Sequence, residues 1–115
     1  MRKVNILLTG ELPGPSPQSA AGEMFDFQKI GPGGPRQFAA TPEWVKGFVD
    51  HVKELRKRLG PNGAIMLDAH CAMPPAFLIQ LANALEPQDV LFIEEPAVPG
   101  NIEVFKRLKA AIKIP

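Results

Sequence analysis

The stretch that decides the fold is IMLDAH at residues 65–70, and LFIEEP at residues 91–96 resembles it one repeat later. In both, a short apolar run ends in an acidic residue, Asp68 in the first and Glu94 in the second. A continuous apolar run of this length, without alternation, is typical of a parallel strand buried on both faces. Because one helical segment separates the two runs, their carboxyl ends are expected at the same edge of a parallel sheet.

Amphipathic helices are predicted around these strands. Thr41 and Pro42 have the chemistry of an N-cap and a first helical position, and apolar residues then recur every three or four positions until Gly60. His51 falls on the polar face of this helix and is predicted to be an ordinary surface histidine. A second helix is expected to begin at Pro74-Pro75 and a third after the N-cap Asn101. The third helix is expected to direct six apolar residues inward, namely Ile102, Val104, Phe105, Leu108, Ala111 and Ile112.

The first 40 residues have a different character. Residues 3–10 are predicted as a strand, residues 11–22 as a Pro-rich connector and residues 24–30 as a second strand, followed by a Gly/Pro-rich turn at residues 31–36. That turn lacks the glycine spacing of a phosphate-binding loop. We therefore divide the chain into an N-terminal segment, residues 1–40, and a βα-repeat portion, residues 41–115. Alternating parallel strands and helices predict the α/β class.

Composition excludes several kinds of partner. The 13 basic and 12 acidic residues leave a net charge of +1, which provides no field for nucleic acid or an anionic membrane. The single cysteine, Cys71, cannot form an internal disulfide, and the apolar run at residues 4–8 is too short for a signal peptide or a membrane span. The sequence therefore predicts a soluble, cytoplasmic protein.

The two strand ends carry the candidate chemistry. Two carboxylates on neighbouring strands repel each other unless a cation lies between them, and oxygen ligands suit Mg²⁺. Asp68 and Glu94 are thus the predicted metal ligands. His70 is two residues beyond Asp68, so an extended chain would place it on the same side, where an imidazole can transfer a proton. Taken singly, each of these residues is also compatible with a structural role as a cap or an exposed strand exit, and Cys71 is interpreted as a wall residue.

The ordered motifs resemble the catalytic barrel of the mandelate racemase and muconate lactonizing enzyme group of the enolase superfamily. The Asp-x-His form and the Gly-Pro-Gly-Gly-Pro stretch are similar to those of its acid-sugar dehydratases, the mannonate, galactonate and gluconate dehydratase-like proteins. The resemblance implies about half of a TIM-type (β/α) barrel, with Asp68 and Glu94 on Mg²⁺ and His70 as the acid that protonates the departing hydroxyl. It implies a lyase that removes the proton α to the carboxylate of a sugar acid and eliminates the β-hydroxyl, giving a 2-keto-3-deoxy acid.

Other functions stay open at this point. Members of the group have a third acidic ligand on the next strand and an N-terminal capping domain, whereas this sequence stops at Pro115. The chain is therefore expected to associate with itself or with a complementing segment. A non-catalytic half-barrel is the alternative outside the enzymes, and a hydroxy-acid racemase or epimerase is the alternative among them.

Overall fold

The computed structural model describes residues 27–30 and 41–115 of the chain. Its elements are β1 (Phe27–Ile30), α1 (Pro42–Leu59), β2 (Ala64–Asp68), α2 (Pro75–Leu85), a 3₁₀ turn (Glu86–Gln88), β3 (Val90–Glu94) and α3 (Ile102–Ala111). The strand predicted at residues 24–30 is confirmed for its last four residues. The predicted strand at residues 3–10, the connector at residues 11–22 and the turn at residues 31–36 lie outside the described part. The division after residue 40 stays a prediction.

The ends of α1 follow the chemistry of its sequence. The Thr41 hydroxyl accepts a hydrogen bond from the Trp44 amide at 3.2 Å, which satisfies one of the free donors of the first turn. At the other end, Gly60 has a φ of 73°, in the region that glycine adopts most easily. Asn101 caps α3 in the same way as Thr41 caps α1, through a hydrogen bond from the Glu103 amide. The predicted helix starts are therefore confirmed.

The three strands form one parallel sheet in the order β1-β2-β3. Ile65 pairs with Val90, an offset of 25 residues, whereas Leu67 pairs with Ile93, an offset of 26. One extra residue of β3 is therefore accommodated between these two pairs, as in a β-bulge. The bulge changes which residues face each other at the carboxyl ends of the strands.

The core lies between the sheet and its helices. Phe48, Val52 and Leu55 of α1 are buried against the apolar side of α2. The buried residues of α2 are Phe77, Leu78, Leu81, Ala82 and Leu85. Residues in this layer that are completely inaccessible include Val52, Ile65, Leu67, Leu78, Leu81 and Leu85. A second, smaller cluster on the other side of β2 contains Ala64 and Met66, packed by Leu91 and Phe92.

Two expectations about burial were wrong. Of the six apolar residues expected to face inward from α3, Leu108 is buried and Val104, Phe105 and Ile112 are partly buried, but Ala111 is exposed and Ile102 is 65% exposed. Strand β3 is fully buried only at Val90, whereas β2 is buried along its whole length. The reason is that β2 has a strand on each side, whereas β3 is the last strand of the described sheet and leaves part of α3 without a surface to cover.

The alternating parallel arrangement confirms the predicted α/β class. Within the described ranges, no helix is both long enough and apolar enough to cross a membrane.

Candidate functional site

Asp68 is the buried acid at the carboxyl end of β2. It is only 7% exposed, and it is the one charged residue in the described core. Its Oδ1 accepts a hydrogen bond from the backbone amide of His70 at 3.2 Å, and its Oδ2 lies 2.7 Å from Nε2 of the same histidine. The structure therefore brings these two predicted site residues into direct contact.

The turn after β2, rather than an extended chain, brings His70 back to Asp68. His70 and Cys71 have φ values of 49° and 51°, and Glu95 in the facing turn has a φ of 47°. For residues with a side chain, this left-handed conformation costs about 1–2 kcal/mol each. The proximity expected for His70 is thus found, but the alternation argument for it was wrong because the strand ends at Asp68.

Two backbone hydrogen bonds hold the facing turns together beyond the strand ends. The Ala69 amide donates to the Glu94 carbonyl and the Cys71 amide donates to the Glu95 carbonyl, both at 2.9 Å. These bonds continue the pairing of β2 with β3 into the site. The second bond joins Cys71 to Glu95, and both residues have left-handed backbones. The backbone therefore restrains the turn that carries the His70 side chain.

The bulge in β3 places Glu94, the second predicted metal ligand, opposite Asp68. Glu94 is the register partner of Asp68. Had the offset of 25 between Ile65 and Val90 continued, Ile93 would stand opposite Asp68 instead. Paired residues of neighbouring strands project to the same face at a strand spacing of about 5 Å. The two acids therefore occupy facing positions at one sheet edge.

Glu95 is a site residue that the sequence reasoning missed. One ligand atom each from Asp68, His70 and Glu95 lie within 4.8 Å of one another, a grouping that could hold a metal ion. Among the residues that the structure describes, Glu94 does not belong to such a group of three. Simple alternation would place Glu95 on the opposite face from Glu94, and alternation does not hold at Glu95, whose backbone is left-handed.

The electrostatics of this edge favour a cation. The carboxylates of Asp68 and Glu95 have oxygen atoms within 4.8 Å of each other. Two negative charges about 5 Å apart repel by about 3 kcal/mol at an effective dielectric constant of about 20. Asp68 has a side chain that is 11% exposed and so has little water to screen it, whereas the His70 side chain is 54% exposed and can meet a ligand from solvent. Carboxylate oxygens are the donors that Mg²⁺ prefers, so the residues present fit that ion. Cys71 is half-buried beside the site, in keeping with a wall position.

Comparison with known proteins agrees with this architecture. Residues 17–115 match the enolase C-terminal domain-like family. A D-galactonate dehydratase family member, RspA, of Pantoea ananatis is 35% identical over 71 residues, which cover 62% of this chain and 16% of that protein. The chain thus spans about a sixth of the length of this relative.

Solved structures show the same fold. A member of the enolase superfamily from Salmonella Typhimurium superposes with a TM-score of 0.76 at 20% identity, over 85% of this chain and 28% of the other. An enolase from Pantoea ananatis with bound D-gluconate and Mg has a TM-score of 0.65 at 24% identity, over 85% of this chain and 32% of the other. The predicted partial α/β barrel and the resemblance to the enolase superfamily are confirmed, and this chain belongs to the enolase C-terminal domain-like family.

Proposed function

We propose that this chain supplies part of the active site of a Mg²⁺-dependent acid-sugar dehydratase. The observation that carries the proposal is the register of β2 and β3, in which Asp68 faces Glu94 at the carboxyl edge with His70 in contact with Asp68. Sites of parallel α/β barrels lie at this edge. Support comes from the relative named as a D-galactonate dehydratase family member and from the fold neighbour that holds D-gluconate and Mg.

Each residue has a role that follows from its position. Asp68 and Glu94 would hold the ion, which when bound supplies positive charge to a substrate carboxylate as its α-proton is removed. His70 would give a proton to the β-hydroxyl as it departs, since its ring is exposed enough to reach a substrate. The hydrogen bond from the His70 amide to the Asp68 carboxylate keeps the proposed acid close to the proposed metal ligand.

We further propose that a complementing βα segment completes the sheet beside β3. The Ile93 amide donates to the Pro115 carbonyl at 2.8 Å, so the last residues of the chain already run along this edge of β3. A groove of about 370 Å³ lies there, and its lining includes Phe105, Leu108 and Ile114. Because β3 is the last strand of the described sheet, its edge beside this apolar groove could accept another strand.

Metal binding and product formation test the function separately. Mg²⁺ binding is measured by isothermal titration calorimetry, and 2-keto acid formation is followed with a panel of aldonic and uronic acids. The assays use the full chain, with and without a segment taken from the next βα unit of a longer relative. We expect Asp68→Asn to abolish Mg²⁺ binding and His70→Ala to retain it while losing turnover. Glu103→Gln, an exposed acid of α3, is the control and should behave as the parent chain.

Two results would contradict the proposal. Full turnover in His70→Ala would show that another group is the acid. Mg²⁺ affinity no better than about millimolar, as in the weakest Ca²⁺ modules, and absence of turnover even with the complementing segment would exclude the dehydratase. Exchange of the α-proton without loss of the hydroxyl would indicate a racemase or epimerase, because only the fate of the deprotonated substrate differs.

A further inference from the structure

The turn that joins α1 to β2 contains the single Asn-Gly pair of the chain, Asn62-Gly63. The Gly63 amide donates to the Gly60 carbonyl at 3.4 Å, which closes a β-turn with Pro61 and Asn62 at its centre. Asn62 is exposed and does not have a positive φ, which excludes a type II turn and fits type I. Because this hydrogen bond is longer than the usual range of about 2.7–3.2 Å, the Gly63 nitrogen is only weakly held.

An asparagine followed by glycine has a reaction of its own. The backbone nitrogen of Gly63 attacks the side-chain carbonyl carbon of Asn62, and the new C–N bond closes a succinimide ring. The side-chain amide leaves as ammonia, which takes the proton of the Gly63 nitrogen. Water then opens the ring at either carbonyl and gives aspartate or isoaspartate, without any oxidant or reductant. Glycine favours ring closure because no Cβ crowds the attacking nitrogen.

The other two asparagines in the described part of the chain are held by secondary structure. Asn83 lies inside α2, where the backbone nitrogen of the next residue is engaged in the helix. Asn101 is the N-cap of α3, and its Oδ1 accepts a hydrogen bond from the Glu103 amide at 3.1 Å. Each would have to leave its helix before it could react, whereas Asn62 lies in an exposed turn.

Arg56 connects this chemistry to the fold. Its Nη1 donates to the carbonyls of Gly60 and Gly63, at the two ends of the turn. The positive charge favours the deprotonated nitrogen that attacks, since an opposite charge nearby stabilises a charged form. Isoaspartate at position 62 would add one methylene group to the backbone between the two carbonyls. One guanidinium nitrogen would then no longer fit both of them.

We propose that Asn62 is a site of spontaneous deamidation, and that isoaspartate at this position weakens the attachment of β2 to α1. This inference does not depend on the proposed function. The turn precedes the first residue of β2, Ala64, whereas Asp68 lies at the other end of that strand.

One peptide carries the reactive residue together with its internal controls. The full chain is incubated at mildly alkaline pH in water enriched in heavy oxygen and is then digested with trypsin. Residues 59–106 contain no internal lysine or arginine, so Asn62, Asn83 and Asn101 are released together and fragmentation assigns the label to one of them. We expect Asn62 to take up the label at least about 10-fold faster than Asn83, because local opening of α2 must precede reaction there. Asn62→Gln should abolish the rapid uptake, because its longer side chain disfavours ring closure.

Urea unfolding, followed through the fluorescence of the single tryptophan, tests the effect on the fold. The midpoint of the aged parent chain should fall in proportion to its isoaspartate content, and aged Asn62→Gln should keep its initial midpoint. Fresh Asn62→Asp adds the charge without the methylene group, so its midpoint should fall less than that of the aged parent.

Two results would overturn the inference. Label uptake at Asn62 that is no faster than at Asn83 would exclude a modification site in this turn. An unchanged urea midpoint in a chain rich in isoaspartate would show that the added methylene group does not disturb the contacts of Arg56.

Discussion

Replacing Arg56 by alanine should destabilise the fold at the amino-terminal ends of β2 and β3, which lie at the opposite end of the sheet from the candidate site. The guanidinium of this α1 residue donates to four backbone carbonyls. Nε bonds to Gln88 at 3.0 Å, Nη2 to Asp89 at 2.9 Å, and Nη1 to both Gly60 and Gly63. Gly63 precedes β2 and Asp89 precedes β3, so one side chain fixes where both strands begin.

The magnitude follows from the partners that would be lost. A hydrogen bond to a charged group contributes about 1.5–3 kcal/mol, less where water can replace it. Three of the four bonds are part-buried, so we expect Arg56→Ala to lower the free energy of unfolding by about 2–4 kcal/mol. Arg56→Lys should recover less than half of this, because an ammonium group has three donors at one point and cannot reproduce the guanidinium fork.

Trp44 reports the transition without any label. It is the single tryptophan of the chain, stacked on Phe48 at 5.2 Å and edge-on to Phe77 at 5.1 Å, so its fluorescence follows the separation of α1 from α2. With a urea m-value of about 1–2 kcal/mol per M, the expected midpoint shift is about 1–4 M. Arg107→Ala, an exposed arginine of α3, is the matched control. If the free energy of unfolding of Arg56→Ala stayed within about 0.5 kcal/mol of that control, the four hydrogen bonds of Arg56 would not contribute to stability.

Three further predictions concern α1. Burial, and secondarily the Arg58 guanidinium, lowers the pKa of His51 below 6.5, so the unfolded chain takes up the proton first as pH falls. The contribution of neutral His51 to the free energy of unfolding should therefore be fully present above about pH 6.5 and be lost as pH falls towards the folded pKa. In His51→Gln, the urea midpoint should accordingly depend less on pH between pH 5 and 7.5. Gly47→Ala, in an exposed helix interior with open space around it, should stabilise by about 0.5–1 kcal/mol, whereas Gly60→Ala should destabilise by about 1 kcal/mol because of its φ of 73°. Thr41→Ala should cost about 1 kcal/mol by removing the N-cap, and an unchanged thermal midpoint would contradict that role.

His51 also illustrates the limit of reading one helix in isolation. Its place on the polar face predicted an ordinary surface histidine, yet the residue is half-buried. Helical periodicity places a residue on a face, but it does not tell how far neighbouring side chains close over it. The pH dependence predicted above arises from that coverage.

The sequence by itself determined the α/β class, the helix starts at Thr41 and Asn101, and the place of Asp68 and Glu94 at strand ends. These are local properties, since a cap, a 3.6-residue period and a continuous apolar run each act over a few residues. The tertiary structure decided how the pieces meet. The extra residue of β3 that aligns Glu94 with Asp68, the left-handed turn that returns His70, and the entry of Glu95 into the site all depend on pairing between segments about 25 residues apart. Strand alternation cannot foresee them, because one bulge or one left-handed residue reverses the direction of every side chain that follows.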